Sequence, residues 1–176
     1  AATSAADGTI AIGLNALGGI TTGGSNVAIG QNAANDLTAG ESNTVIGFGA
    51  MDGAMGSNSE DSSANTAIGA GAMGGTWANQ ELDDCVCVGQ NAMAGALDNC
   101  DGTVAVGKAA LNALTAGIKN TAIGYESLKT IDTGTNNTAI GYNAMVDTDA
   151  DGDTQDSDHN TFIGSHCGGG TWAAGK

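Results

Sequence analysis

The chain has 176 residues, 30 of them glycine, no proline, and only 3% aromatics. That length suits one domain, and its interior must be built from Ala, Val, Ile and Gly, with backbones close together. Four Lys+Arg stand against 19 Asp+Glu, a net charge of -15, which excludes nucleic acid and anionic membrane surfaces as partners and favours solubility or bound cations. No apolar run approaches the ~20 residues of a membrane span, so no membrane insertion is expected.

Along the chain one short motif recurs. It reads Thr9-Ile10-Ala11-Ile12-Gly13, then Asn26-Val27-Ala28-Ile29-Gly30 and Asn43-Thr44-Val45-Ile46-Gly47. Asn65 to Gly69, Cys85 to Gly89 and Thr103 to Gly107 follow, and Asn120 to Gly124, Asn137 to Gly141 and Asn160 to Gly164 close the series. The nine motif glycines are spaced 17, 17, 22, 20, 18, 17, 17 and 23 residues apart, so the base period is 17 with insertions at one place in the unit. Three residues after each glycine comes a small residue (Ala16, Ala33, Ala50, Ala72, Ala92, Ala110, Ser127, Ala144, Cys167), usually followed by Leu or Met.

Each copy carries β-branched residues at i and i+2, as in Thr138 and Ile140, around a small residue. That pattern predicts a short strand ended by glycine. The Ala-Leu segment predicts a second short strand, and the polar remainder a return loop. A 17-residue unit is too short for a helix pair, so the chain is expected to be all-β: a parallel β-solenoid or β-roll of about nine coils, roughly 40 Å long at ~4.8 Å per coil. Residues 1–176 form one repeat domain, expected to be a segment of a longer fibre chain.

Period two places Ala139 on one face, in the narrow interior, and Thr138 with Ile140 on the other. The stripe Ile29, Ile46, Ile68, Ile123, Ile140 and Ile163 is then apolar and outward. A strand apolar on both faces is expected to be covered on both, which predicts packing against other chains, with a homotrimer as the simplest closed arrangement. The alternative is a wider solenoid with Ile inside and no partner. Asn137 is expected to stack with its copies at the turn.

The Asn-Thr-Ala-Ile-Gly-Tyr-x-Ala/Ser-Leu/Met pattern at Asn120–Leu128 and Asn137–Met145 resembles repeats of phage tail-fibre proteins. Asn26–Ala33 is similar to the repeat of the YadA-like head of trimeric adhesins. The likeness covers nearly the whole chain, although the adhesin unit is shorter, near 14 to 16 residues. It implies a trimer of left-handed parallel β-rolls at a virion or cell exterior, serving as fibre or attachment head.

The insert Asp147–Asp158 (DTDADGDTQDSD) has Asp at positions 1, 3, 5 and 12 and Gly at 6, the spacing of a calcium loop. Asp147, Asp149, Asp151, Asp153, Gln155 and Asp158 are the candidate Ca2+ ligands; a solvated acidic loop is the alternative. Cys85 and Cys100 fall in adjacent coils and are a candidate disulfide for an extracellular rod. Cys87 and Cys167 take small inward positions, and no second Cys pair stands at zinc-site spacing. Exposed aromatics offer sugar-stacking platforms, making Trp77, Trp172, Tyr125 and Tyr142 candidate glycan contacts, against the simpler reading of local packing over turns. His159 and His166 lack a nucleophile and acid partner, and Gly168–Gly170 is not followed by Lys-Ser/Thr. No catalytic residue is assigned and no enzyme activity is expected.

The functional expectation is a structural fibre segment, viral in the first instance, supporting host attachment. The alternative is a bacterial adhesin head that binds a surface receptor or glycan directly. An ice-binding face is a third reading, weakened because Ile10, Val27, Val86 and Val104 interrupt the threonine column.

Overall fold

The computed structural model describes residues 7–53, 61–77, 82–146 and 158–169. These residues contain no helix and form an all-β parallel solenoid. Its strands are β1 (Ile10–Ile12), β2 (Val27–Ile29), β3 (Thr44–Ile46), β4 (Thr66–Ile68), β5 (Val86–Val88), β6 (Val104–Val106), β7 (Thr121–Ile123), β8 (Thr138–Ile140) and β9 (Thr161–Ile163). They lie in one sheet in chain order, each parallel to the next, and the register pairs motif residue with motif residue. The coils are numbered here by their strands.

Each coil contributes one strand to this sheet, not two. The Ala-Leu segment expected as a second strand is a run of turns that still pairs from coil to coil. Its residues alternate into left-handed backbone: Asn32, Asn91 and Asn143 two places after the glycine, and Met51, Met93 and Leu128 four places after it, all with φ between 50° and 57°. The alternation turns successive N–H groups in opposite directions along the rod. Gly49 N–H donates back to Gln31 O (2.9 Å), and Met51 N–H donates forward to Ala72 O (2.8 Å). Left-handed Met and Leu cost about 1 kcal/mol each; the paired backbone groups, buried with the core, offset it.

The motif glycine is required where the strand ends. Gly47 has φ of 140°, and a Cβ there would stand 2.5 Å from Gly69 O in the next coil. Side chains cannot occupy that column without forcing the coils apart.

The interior is thin, as the composition demands. Ala28, Val45, Ala67, Cys87, Ala105, Ala122 and Ala139 point inward from the strands and are fully buried. Across from them lie Met51, Met73, Met93, Leu111, Leu128 and Met145. A third corner is filled by Leu37, Leu114 and Ile131 in the 17-residue coils and by Trp77 and Leu97 in the longer ones. With Ala inside and Ile outside, the wider solenoid with an Ile core is set aside.

A buried polar column completes each coil. Asn43 N–H and Nδ2 both donate to Asn26 Oδ1 (2.9 and 3.1 Å), and Asn43 Nδ2 also donates to Ser62 O (2.9 Å). Asn65 and Cys85 N–H groups continue the series onto Asn43 and Asn65, and Asn120, Asn137 and Asn160 repeat it. The expected stacking of Asn137 with its copies is thus a ladder in which each amide oxygen accepts the next coil's N–H.

Candidate functional site

The outward side of the sheet carries two columns. One runs Ile10, Val27, Thr44, Thr66, Val86, Val104, Thr121, Thr138, Thr161; the other runs Ile12, Ile29, Ile46, Ile68, Val88, Val106, Ile123, Ile140, Ile163. Every one of these positions is Ile, Val or Thr, in a chain of net charge -15. Inner-coil members are mostly half-buried by their neighbours, while Ile12 and Ile163 are 58% and 67% exposed. The predicted stripe therefore faces out of the single chain as one uncharged, apolar strip.

Beside it, one residue after each motif glycine, runs a second exposed column: Leu14, Gln31, Phe48, Ala70, Gln90, Lys108, Tyr125, Tyr142, Ser165. Tyr125 and Tyr142 stack on each other, with centroids 5.4 Å apart and planes 13° apart. His166 tilts against Tyr142 at 5.1 Å, and its Nδ1 is 2.9 Å from Ser165 Oγ. The Tyr125 hydroxyl bonds the Glu126 carboxylate, which holds the phenol above its ordinary range. Glu126 in turn pairs with Lys129 Nζ at 2.9 Å, and that contact holds its carboxyl below the usual range. Sequence reasoning singled out the two tyrosines but missed Lys108, Glu126 and Lys129. Their only signal was that three of the chain's four lysines fall between positions 108 and 129.

Trp77 is not a sugar platform. It is 2% exposed, its ring lies in the core, and its indole N–H donates to Met73 O at 3.1 Å. The longer coil brings it into the corner that Leu37 fills elsewhere. Trp172 lies outside the described residues.

Cys85 and Cys100 are free thiols, which corrects the expected disulfide. Each sulfur is turned to a carbonyl of the following coil: Cys85 Sγ donates to Cys100 O at 3.3 Å, and Cys100 Sγ to Thr115 O at 3.6 Å. Cys85 thereby takes the donor part that asparagine plays in the other coils. Burial pushes the Cys85 thiol to about 11 and the Cys100 thiol to about 12, so neither is a ready nucleophile. Cys87 is buried, 3.5 Å from Met93 Sδ. Cys167 is half-buried and free.

Of the candidate calcium ligands, Asp147, Asp149, Asp151, Asp153 and Gln155 lie outside the described residues. Asp158 lies within them, and its Oδ1 accepts Thr135 N–H at 2.6 Å. Asp83 and Asp101 make the same bond one coil back, to Ser63 and Asp83 N–H at 2.7 and 3.1 Å. Asp158 is therefore a member of a capping column as well as the last position of the insert. Among the described residues no three His, Cys, Asp or Glu side chains gather as metal ligands. His159 is 3.4 Å from the Asn136 amide, in the same column one coil on.

No family model, curated protein or solved structure matches this chain.

Proposed function

We propose that this chain is a structural segment of an extracellular fibre, of the viral tail-fibre kind, in which copies associate through the outward Ile/Val/Thr strip. The strip carries this reading. Its apolar area is continuous along nine coils and has no charge, whereas the rest of the exposed surface holds the acidic residues that keep chains apart. Burying it brings no carboxylates together. A straight rod with one such strip closes most simply as a parallel homotrimer, because every copy then offers the same strip to a common axis. Rods of this kind carry load and span distance; the backbone hydrogen bonds that pin each described coil to the next serve that purpose.

Sedimentation velocity tests the proposal. The wild-type chain is expected at three times the monomer mass, and the pair Ile68→Asp with Ile140→Asp is expected to give monomers whose β-sheet signal persists. A wild-type chain that stays monomeric, or a double variant that stays trimeric, would falsify it.

Calcium belongs to the same proposal. The Asp147–Asp158 spacing supplies the ligands of a solitary loop. Calorimetry on chelator-stripped protein should give a saturable heat, and its absence at millimolar calcium removes the ion from the reading.

One observation favours a second reading, an adhesive head that contacts a surface glycan itself: the exposed, tethered Tyr125–Tyr142 pair.

A further inference from the structure

We propose that the corner formed by Lys108, Tyr125, Tyr142 and His166 binds an acidic sugar, through contact of the exposed edges of the stacked tyrosines with the pyranose ring and a lysine contact with its carboxylate. This deepens the second reading above and rests on it, while the trimer stands or falls separately.

The first support is concentration. Both tyrosines of the chain, three of its four lysines and both histidines fall between positions 108 and 166. Lys108, Tyr125 and Tyr142 occupy one column on successive coils, held in register by Glu126 N–H to Lys108 O, Asn143 N–H to Tyr125 O and His166 N–H to Tyr142 O, each 2.9 Å. Successive rungs are ~4.8 Å apart, so three rungs match the scale of a sugar ring with its carboxylate.

The second support is preorganisation. Tyr125 and Tyr142 are 40% and 50% exposed, yet they are not loose. Tyr125 is tied at its hydroxyl to Glu126, which is tied to Lys129, and Tyr142 is wedged between Tyr125 and His166. Rigid, exposed rings with a polar tip lose little freedom on binding.

The third support is charge. Glu126 is neutralised by Lys129, and Lys108 also lowers its carboxyl. Among the described residues, Lys108 is the lysine in the tyrosines' own column, one coil before Tyr125. Charges of the chain more than roughly 8 Å from this lysine are screened at physiological salt. A lysine gains its stronger, charge-assisted hydrogen bond from a sugar that carries a carboxylate, and a nucleic acid would meet the -15 charge of the whole chain along its length.

A printed array of uronate-containing, sialylated and neutral glycans tests the proposal on the whole chain. Retained glycans are expected to be acidic. For the best of them, Tyr142→Ala and Lys108→Ala should each weaken binding about tenfold. Phe48→Ala, in the same column but remote, should leave it unchanged. Thermal melts of all three variants should match wild type, since these side chains are outside the core. The proposal is overturned if nothing is retained, if neutral glycans are retained equally, or if Phe48→Ala weakens binding as much as Tyr142→Ala.

Discussion

Coils 2 to 4 and coils 5 to 6 share one backbone course but satisfy the same buried position in different ways. In coils 2 to 4 the position is Asn26, Asn43 and Asn65, and each amide oxygen accepts the next coil's N–H. In coils 5 and 6 it is Cys85 and Thr103. Cys85 keeps the donor bond, to Cys100 O, but the Thr103 N–H is aimed at a sulfur where an amide oxygen stands elsewhere. Thr103 Oγ1 is buried and has no partner. From Asn120 the ladder resumes. The contrast teaches that backbone pairing in the strands and turns holds adjacent coils in register, and that the asparagine column adds polar satisfaction on top of it. Coils 5 and 6 are thus a joint between two better-satisfied stretches.

The largest expected effect comes from cutting the ladder where it is intact. Asn43→Ala strands Asn65 N–H and Ser62 O in the interior and should destabilise by about 3 kcal/mol. Thr103→Ala, at the same position in the joint, should cost under about 1 kcal/mol, since its hydroxyl has no bond to lose. Equal losses in urea titrations would erase the distinction between the two regions.

Alkaline pH should act on the joint with a similar magnitude. The Cys85 thiol rises from 9.0 to about 11 because burial disfavours the thiolate. Its stabilisation is therefore complete below pH 9.0 and lost as pH climbs to about 11, near 3 kcal/mol from about two units. Melting curves across that range should fall for wild type and fall less for Cys85→Ala compared with its own value at neutral pH. Parallel curves would mean the thiol is not the group involved.

Repairing the joint should show a smaller gain. Thr103→Asn offers Asn120 N–H the acceptor that Asn120 offers Asn137, and should raise stability by about 1 kcal/mol. A loss instead would show that the longer coils leave no room for the amide.

The smallest effect is expected at the exposed edge. Asp158→Ala removes one carboxylate acceptor from Thr135 N–H, at a cost of about 0.5 kcal/mol in the absence of calcium. A cost of several kcal/mol would give the capping column a weight that solvent competition should deny it.

Much of the rod was legible before its structure, for a reason visible in single residues. Ala139 between Thr138 and Ile140 separates the two faces by period two alone, and nine repetitions remove the ambiguity of any one copy. Asn32 and Gly49 also hinted at left-handed backbone, since those residues tolerate it. Met51 and Leu128 gave no such hint, and so the turn was mistaken for a strand: Met and Leu adopt that conformation here only because neighbouring coils hold their N–H groups. The aromatic corner was half-legible. Tyr125 and Tyr142 stand in one repeat column, but their link to Lys129 passes through Glu126 and depends on side-chain geometry.

Sequence by itself determined the period, the sheet and the separation of the Ala and Ile columns onto opposite faces, because each is a rule about residues close in the chain, repeated. Only the tertiary structure decided that Trp77 is core, that Cys85 and Cys100 point at carbonyls and not at each other, and that Asp158 caps Thr135. Those outcomes depend on how far the longer coils shift a side chain against the coil beside it, a displacement that local pattern does not encode.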